Sequence, residues 1–397
     1  MSNSQKKVVI AGAGGIGSAA ALILREWGDF GVEVYLGDAS LSTAKNAAEW
    51  INGDSHQVGK IEPFTVPVVG TSAELENIIR DGDIILDCLP GKEAPRMAGL
   101  ARANGLHYAN LTEYVRETDE ITQLAQGSDQ GFILQTGLAP GFINVLAMGL
   151  LKSFCERHGV TKVESVSMKV GALTKNATSP SYYGFTWSPI GVATEYIEPA
   201  VVIRDGKKTT VKSLSERAPV LINGVMYEEA ITSGGTADLP VQLEGRVGTL
   251  DYKTLRHPGH YNWVDGVVGA VSKSVPKKLP PEERSRILAD LVEREMLKVV
   301  PLVEDDVVII YASVKGQDSG GALRVMEQAY NIGPTKVGNK TLRAIQSTTA
   351  SALAESARLL LAGNYMGVIL QSMIDPSSFM KGQFITKAYN NNHSLPR

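Results

Sequence analysis

A glycine-rich turn near the N-terminus constrains the fold of this chain more than any other feature. The turn follows an apolar run at residues 8–11 and opens a helical pattern at residues 16–27. Glycines at this spacing permit a tight turn, a close approach of the backbone to a pyrophosphate, and close packing of helix on strand. The N-terminus of the helix attracts the anion. We therefore predict a Rossmann domain whose dinucleotide-binding turn comprises Gly12, Gly14, Gly15, Ile16 and Gly17.

Short β-rich runs alternate with helical patterns over the first 140 residues, as in successive βαβ units. Right-handed crossovers place such strands in one parallel, doubly wound sheet with helices on both faces. Beyond residue 140, longer β-rich segments are separated by long loops, which favours a second α+β domain with a mixed or antiparallel sheet. An Ala- and Leu-rich stretch at residues 342–362 predicts a long helix. We predict an α/β chain with a Rossmann dinucleotide-binding domain at 1–140, an α+β substrate-binding and dimerisation domain at 141–341, and a C-terminal helical segment at 342–397.

The composition narrows the class of protein. Of the 397 residues, 43% are hydrophobic and 20% are charged, which is ordinary for a globular chain of two domains. A formal net charge of −3, with no block of like charges, argues against a nucleic-acid partner or a membrane surface. No apolar stretch approaches the roughly 20 residues that span a bilayer, and residues 1–7 do not resemble a signal peptide. Two cysteines in so long a chain fit a reducing cytoplasm.

Asp38 ends the second apolar run, roughly 20 residues after the last glycine of the turn. A carboxylate at this position accepts hydrogen bonds from the ribose hydroxyls and repels a 2′-phosphate. Ala39 and Ser40 follow it, so no arginine stands there to hold such a phosphate. The alternative is that Asp38 caps the helix predicted from residue 41 onward, and both roles could coexist. We therefore expect NAD as the cofactor, with NADP less favoured.

The fourth predicted strand ends in a turn that contains Cys88, Leu89 and Pro90. In doubly wound sheets, ligands bind outside the carboxyl ends of the strands. We therefore expect this turn to cover the pyrophosphate and the nicotinamide riboside. Cys88 is interpreted as a small apolar wall rather than a nucleophile, because no neighbour in the sequence would lower its pKa.

Several motifs resemble those of the saccharopine dehydrogenase family, which includes saccharopine reductase, lysine 6-dehydrogenase and carboxynorspermidine dehydrogenase. They are Gly-Leu-Ala-Pro-Gly at 137–141, Thr-Trp-Ser-Pro-Ile-Gly at 186–191, Thr-Ser-Gly-Gly-Thr at 232–236, and residues 251–260. The resemblance implies that hydride leaves the carbon of a C–N bond in a lysine-derived amine, and that water then splits the imine. It also implies that the two domains enclose the substrate and that the C-terminal helix returns to the Rossmann domain. Finally, it implies a homodimer formed through the second domain.

An amino-acid substrate of this kind needs cationic groups for its carboxylates, ideally a bidentate arginine. Arg256 is the first candidate, because it ends a predicted strand beside a Pro-Gly turn; the alternative is a structural salt bridge. Trp187 could line the nicotinamide or the aliphatic chain of the substrate, or it could pack in the core. The turn that contains Thr236 offers backbone N–H groups and a hydroxyl to a carboxylate, or is a plain β-turn. His260 completes the predicted substrate-binding set.

Amine oxidation needs a base, because the nitrogen must lose its proton before hydride leaves. Glu113 and Tyr114 follow the fifth predicted strand, where the site is expected, and His257 and His260 come from the second domain. Glu113 could equally be an acid favoured at a helix start. A Pro-Gly pair separates the two histidines and no third ligand is near, so no metal site is predicted.

Two positions depart from the fungal saccharopine reductases of this family. Those enzymes have an acid where this chain has Ala139, and a cysteine where it has Val170. Both departures favour the lysine 6-dehydrogenase and bacterial branches. The leading prediction is an NAD-dependent saccharopine dehydrogenase-type enzyme. The alternatives are a lysine 6-dehydrogenase or carboxynorspermidine dehydrogenase-like enzyme, and a catalytically inactive NAD-binding sensor or scaffold.

Overall fold

The computed structural model describes residues 5–29, 31–53, 59, 61–113, 115–363 and 365–389. Contacts within the chain divide it into two compact units. Of the described residues, the first unit takes in those within 5–145, 335–342 and 346–389, and the second takes in those within 146–334 and 343–345.

Strands and helices are numbered along the chain. The strands are β1 (Lys6–Ala11), β2 (Val32–Asp38), β3 (Ile61–Thr65), β4 (Ile84–Asp87), β5 (His107–Asn110), β6 (Gly131–Ile133), β7 (Val163–Thr174), β8 (Ala200–Arg204), β9 (Lys207–Val211), β10 (Ala218–Ile222), β11 (Val225–Ile231), β12 (Val247–Arg256), β13 (Asp306–Gln317), β14 (Leu323–Ile332), β15 (Thr335–Val337), β16 (Lys340–Leu342) and β17 (Gly367–Ile369). The helices are α1 (Gly15–Trp27), α2 (Leu41–Asn52), α3 (Ala73–Arg80), α4 (Ala94–Ala103), α5 (Val115–Leu124), α6 (Phe142–His158), α7 (Pro189–Ile197), α8 (Leu239–Gln242), α9 (His260–Ser272), α10 (Pro281–Leu297), α11 (Ala344–Leu361), α12 (Pro376–Met380) and α13 (Gln383–Tyr389).

The first unit is built on a seven-stranded parallel sheet, which confirms the predicted Rossmann fold. The strand order is β17-β6-β5-β4-β1-β2-β3, and every pair runs parallel. The chain winds outward from β1 in one direction through β2 and β3, and in the other through β4, β5 and β6. The order therefore reverses between β1 and β4, and ligands bind at such a switch point, outside the carboxyl ends of the strands.

The central strand of this sheet is apolar on both faces, which explains why helices cover both. Val8, Val9, Ile10 and Ala11 have no exposed surface. Val9 and Ala11 share a core with apolar residues of α3, α4 and α5, whereas α1 and α2 contact strands β1 to β3. Burial of this kind is typical of parallel sheets and leaves the strand ends as the accessible edge.

The second unit contains a mixed eight-stranded sheet. The order is β10-β11-β12-β7-β13-β14, with β8 paired to both β12 and β9. Strands β12 and β7 run parallel, and the other pairs are antiparallel. One core of this unit gathers apolar residues of α7, α9 and α10, among them Tyr196, Tyr261 and Val292. This arrangement confirms the predicted α+β domain.

The C-terminal part of the chain returns to the Rossmann sheet, as the family resemblance implies. The hydroxyls of Ser356 in α11 and Thr136 hydrogen-bond to each other, and the rings of Phe142 and Tyr389 stack with centroids 3.8 Å apart. Strand β17 then pairs with β6. At three residues, β17 is too short for its own pattern to predict a strand.

None of the described helices is long and apolar enough to cross a membrane. Within the same residues, no group of three or more His, Cys, Asp and Glu side chains is placed to hold a metal ion.

Candidate active site: a dinucleotide turn and a buried arginine

The turn after β1 is closely packed at two glycines and open at a third. Gly12 has a φ of +103°, and a Cβ there would lie 2.7 Å from the carbonyl carbon and oxygen of Cys88. A Cβ on Gly17 would lie 1.8 Å from the carbonyl oxygen of Gly12. A Cβ on Gly14, the residue before α1, would have no heavy atom within 4 Å. Gly14 therefore faces open space at a helix N-terminus, as a pyrophosphate-binding turn requires.

The carboxylate of Asp38, at the end of β2, lies against this turn. Its Oδ2 accepts a hydrogen bond from the Ala13 backbone N–H at 3.0 Å, and its Oδ1 accepts one from the Ser40 N–H at 3.1 Å. The side chain that caps α2 is Ser40, whose hydroxyl accepts a hydrogen bond from the Thr43 N–H at 3.3 Å. The observed helix cap therefore does not explain Asp38, whose carboxylate is bonded to the glycine turn.

A second strand-end carboxylate, Asp87, shapes the turn after β4. It accepts hydrogen bonds from the Leu89 N–H at 3.0 Å and from the Tyr108 hydroxyl at 2.8 Å. Burial raises the pKa of Asp87 to about 6, although both hydrogen bonds act in the opposite direction. Sequence reasoning missed this residue; an aspartate that ends an otherwise apolar strand is the signal that could have revealed it.

Cys88 lies in the turn that Asp87 supports. Its backbone N–H donates to the Ala11 carbonyl at 2.7 Å, which ties the turn to β1. Burial raises the pKa of the Cys88 thiol far above its usual value, and the charge of Asp87 adds to this effect. The thiol therefore stays protonated at neutral pH, and an uncharged thiol is a poor nucleophile. A protonated thiol agrees with the interpretation of Cys88 as a small apolar wall rather than a nucleophile.

Glu113 follows the carboxyl end of β5, in the same unit. Burial raises its pKa to about 7, so its protonation changes near neutral pH, as a general base requires. Tyr114 lies outside the described residues. The structure gathers the predicted cofactor residues at the carboxyl edge of β1, β2 and β4: Gly12, Gly14, Gly15, Ile16, Gly17, Asp38, Ala39, Cys88, Leu89 and Pro90.

Arg256, the last residue of β12, is buried in the second unit with 1% of its surface exposed. Its Nε donates to the Tyr196 hydroxyl at 2.8 Å, and its Nη1 donates to the Leu255 carbonyl at 3.1 Å. The guanidinium carbon lies 4.6 Å from the ring centroid of Tyr183 and 5.6 Å from that of Tyr196. Among the residues that the structure describes, no carboxylate lies within ion-pair distance of Arg256, although the charge of the buried Glu195 acts on it.

His260 lies beside Arg256, and both of its ring nitrogens are engaged. Nε2 is 2.9 Å from the Tyr196 hydroxyl and Nδ1 is 2.7 Å from the Ser181 carbonyl oxygen. Burial, and after it the charge of Arg256, lowers the pKa of His260 to about 3. His260 is therefore neutral throughout the physiological range. Tyr196 and Ser181 were not singled out by sequence, since nothing in their spacing links them to Arg256.

Trp187 packs against the same core that contains Tyr183 and Tyr196. Its ring lies over Gly191, where a Cβ would come within 2.4 Å of the Trp187 Cζ3 atom. Glycine in the Thr-Trp-Ser-Pro-Ile-Gly motif therefore makes room for the indole. The structure therefore shows Trp187 in the packing role, which was the alternative to a contact with the nicotinamide or the substrate.

The remaining predicted residues of the second unit are held by backbone carbonyls. The Thr236 hydroxyl donates to the Val201 carbonyl at 3.1 Å, and the N–H of Ser233 in the same turn donates to the backbone carbonyl of Glu195 at 3.2 Å. His257 Nε2 lies 2.9 Å from the Thr174 carbonyl oxygen. Because a carbonyl can only accept, Nε2 carries the proton, which leaves Nδ1 of a neutral His257 as an acceptor.

The parallel sheet, the open glycine turn and the strand-end aspartate define a dinucleotide-binding protein of the Rossmann class. Two family models match the chain: "Saccharopine dehydrogenase NADP binding domain" over residues 8–131 and "Saccharopine dehydrogenase C-terminal domain" over residues 137–382. The chain belongs to the saccharopine dehydrogenase family, which confirms the resemblance seen in its motifs. Its cofactor is accordingly a nicotinamide dinucleotide.

Curated relatives include the mitochondrial alpha-aminoadipic semialdehyde synthases of Mus musculus and Bos taurus. The mouse protein is 23% identical over 303 residues and the bovine protein 25% identical over 305 residues, in each case 73% of this chain. The match covers 31% of either relative, so this chain spans only about a third of their length.

Solved structures show the same fold. Apo saccharopine dehydrogenase (L-Glu forming) from Saccharomyces cerevisiae superposes with a TM-score of 0.71 at 16% identity, covering 95% of this chain and 96% of that one. Homospermidine synthase from Legionella pneumophila, in complex with NAD, gives a TM-score of 0.64 at 13% identity, covering 97% and 89%.

Proposed function

We propose that this chain is an NAD-dependent dehydrogenase that oxidises the CH–NH bond of a lysine-derived amino acid, in the manner of saccharopine dehydrogenase. The observation that carries the substrate class is Arg256, a buried cation that forms no ion pair with a carboxylate of the described residues; Glu195 acts on it only through its charge, from beyond ion-pair distance. A buried charge with no counter-ion in direct contact is costly. The carboxylate of an amino-acid substrate would supply that contact, and membership of the family supports the reaction type.

The residues around the glycine turn fit a dinucleotide. The open space at Gly14 would admit the pyrophosphate, and the close packing at Gly12 would hold the turn in shape. Asp38 would accept the ribose hydroxyls and repel a 2′-phosphate, and Ala39 adds no cation to attract one, which supports NAD over NADP. The Cys88-Leu89-Pro90 turn would line the cofactor. When bound, the nicotinamide accepts the hydride that leaves the substrate carbon.

The second unit would hold the substrate. Arg256 would bind a carboxylate in a site shielded from water, where a charge pair is far stronger than at the surface. Trp187 would pack on the aliphatic part of the substrate. The hydroxyl of Thr236 is engaged by Val201, so this turn would contribute through its backbone. His260, with both nitrogens engaged, would not bind the substrate directly.

Glu113 is the proposed base. Its carboxylate would take the proton from the amine nitrogen as the carbon loses hydride, and the C–N bond becomes C=N. The protonated side chain could then pass its proton on, and the restored carboxylate could take one from the water that adds to the imine. A pKa of about 7 permits both directions of transfer. His257, with Nδ1 as an acceptor, is the second candidate for this role.

A second candidate function is that of a lysine 6-dehydrogenase or a carboxynorspermidine dehydrogenase-like enzyme. Ala139 and Val170 favour it, because fungal saccharopine reductases carry an acid and a cysteine at these places. The chemistry is the same on a smaller or longer amine. The identity of the amine that is oxidised therefore distinguishes the two candidate functions.

The test offers the purified chain saccharopine, lysine and carboxynorspermidine at alkaline pH, with NAD or NADP, and follows absorbance of the reduced cofactor. We expect reduction of NAD with one of these amines. Arg256→Ala should raise KM for that amine about 10- to 100-fold, the loss of a charged hydrogen-bonded pair. Arg324→Ala, at an exposed arginine of the same unit, serves as the matched control and should leave KM unchanged. Binding of NAD without oxidation of any amine would contradict the proposal and favour a sensor.

A further inference from the structure

Three hydrogen bonds run in series through the interior of the second unit and end on Arg256. The Arg256 Nε lies 2.8 Å from the Tyr196 hydroxyl, which lies 2.9 Å from His260 Nε2. His260 Nδ1 in turn lies 2.7 Å from the Ser181 carbonyl oxygen. Arg256 and His260 are 1% and 0% exposed, and Tyr196 is 2% exposed. Water therefore does not compete for these bonds, and each group must satisfy its neighbour.

The two groups at the ends of this series determine the donor and the acceptor in each of its three hydrogen bonds. A backbone carbonyl can only accept, so His260 Nδ1 must carry a proton and donate to Ser181. In a neutral imidazole the other nitrogen is then an acceptor, so the Tyr196 hydroxyl donates to Nε2. A guanidinium can only donate, so the oxygen of Tyr196 accepts from Arg256. The hydroxyl hydrogen of Tyr196 therefore points toward His260 Nε2.

The Nη2 atom of Arg256 has no hydrogen-bond partner among the described residues. Nε is held by Tyr196, and one N–H of Nη1 is held by the Leu255 carbonyl. The ring of Tyr183, 4.6 Å from the guanidinium carbon, fixes the plane from one side. Nη2 and the second N–H of Nη1 would be the donors for the two oxygens of a carboxylate.

We propose that Tyr196 and His260 are positioning residues that orient Arg256 to bind the carboxylate of an amino-acid substrate. This inference rests on the proposed function and assigns His260 a role behind the substrate site rather than within it. A hydroxyl-bearing ring at position 196 serves twice, because its ring lies near the cation, with the centroid 5.6 Å from the guanidinium carbon, while its oxygen accepts from Nε. Tyr196→Phe would keep the ring and lose the hydrogen bonds to Arg256 and His260.

The kinetic test compares the wild type with Tyr196→Phe on whichever lysine-derived amine the wild type oxidises. We expect KM to rise about tenfold or more, as for a lost hydrogen bond to a charged group, with kcat within about threefold. Tyr330→Phe removes another buried, hydrogen-bonded hydroxyl of the same unit and is the control. A Tyr196→Phe variant with unchanged KM, or with a lowered kcat alone, would overturn the inference.

A spectroscopic test on the wild type does not depend on turnover. The ¹⁵N chemical shifts of His260 should show a neutral ring protonated at Nδ1 from pH 5 to pH 9. A ring protonated at Nε2, or one that charges within that range, would overturn the inference even if amines are oxidised. Absence of amine oxidation together with the Nδ1–H form would instead reject the proposed function and leave the hydrogen-bonded chain intact.

Discussion

The carboxylate of Asp38 accepts a hydrogen bond from the backbone N–H of Ala13 at 3.0 Å. This bond joins the end of β2 to the glycine turn after β1, two neighbouring parallel strands. It places a negative charge beside the position that a ribose occupies in dinucleotide-binding folds. The selectivity of the cofactor site should therefore follow from this one side chain.

Removing the charge of Asp38 should weaken the preference for NAD. Asp38→Asn keeps the size of the side chain and an acceptor for Ala13, so its effect isolates the charge. We expect the ratio of kcat/KM for NAD over that for NADP to fall at least about tenfold, the size of one charged hydrogen bond. Ratios measured for wild type, Asp38→Asn and Asp38→Ala check this. An unchanged ratio in both variants would remove Asp38 from cofactor choice.

Two glycines of the turn should respond differently to the same substitution. A Cβ at Gly14 meets open space, whereas a Cβ at Gly17 meets the Gly12 carbonyl at 1.8 Å. Gly14→Ala should keep the Tm of the wild type and weaken NAD binding about tenfold or more, because the methyl group occupies space near the pyrophosphate. Gly17→Ala should lower the Tm. Calorimetry and titration with NAD measure both, and tight NAD binding by Gly14→Ala would place the pyrophosphate elsewhere.

The pH dependence of turnover should report Glu113. Burial raises its pKa to about 7, so the carboxylate is protonated and inactive as a base at lower pH. We expect kcat/KM to rise through pH 7 and then level off. Glu113→Gln should lower kcat about 10²- to 10⁴-fold and remove this limb, whereas Glu120→Gln, at an exposed position of α5, should change neither. A limb that persists in Glu113→Gln would shift the role to another group, His257 first.

Asp87 should make the folded state less stable as pH rises. Its folded-state pKa of about 6 exceeds the ordinary value of 3.8, so folding favours the protonated form. The stabilisation is complete below about pH 4 and is lost as pH rises through 6, a change of about 3 kcal/mol in the free energy of unfolding. Asp87→Asn should flatten this dependence in urea unfolding between pH 4 and pH 7, and the exposed control Asp119→Asn should not. If the free energy of unfolding depends on pH equally in Asp87→Asn and the wild type, Asp87 is not the cause of this dependence.

Local patterns predicted most of the Rossmann unit but not its last strand. The alternation of apolar runs and helical patterns follows from burial on both faces of the inner strands β1, β4, β5 and β6. The addition of β17 depends on pairing with β6, more than two hundred residues earlier in the chain, and a segment of three residues carries no period. The resemblance to a family, rather than the pattern itself, indicated that the chain returns to this sheet.

The candidate site was predictable where it depends on spacing and not where it depends on packing. Asp38 follows the glycines at a distance set by one βαβ unit, so its position could be read directly. Arg256 could be named as a cation at a strand end. Its partners Tyr183 and Tyr196 come from other segments, and only the tertiary structure brings their rings and hydroxyl to the guanidinium.

The central claim is that this chain moves hydride from an amine carbon to NAD. The most direct measurement uses the lysine-derived amine that supports turnover, with deuterium on the carbon of its CH–NH bond, and determines the mass of the reduced cofactor. One deuterium is expected in each NADH molecule formed. Reduced cofactor without deuterium, or the absence of any reduced cofactor with bound NAD, would contradict it.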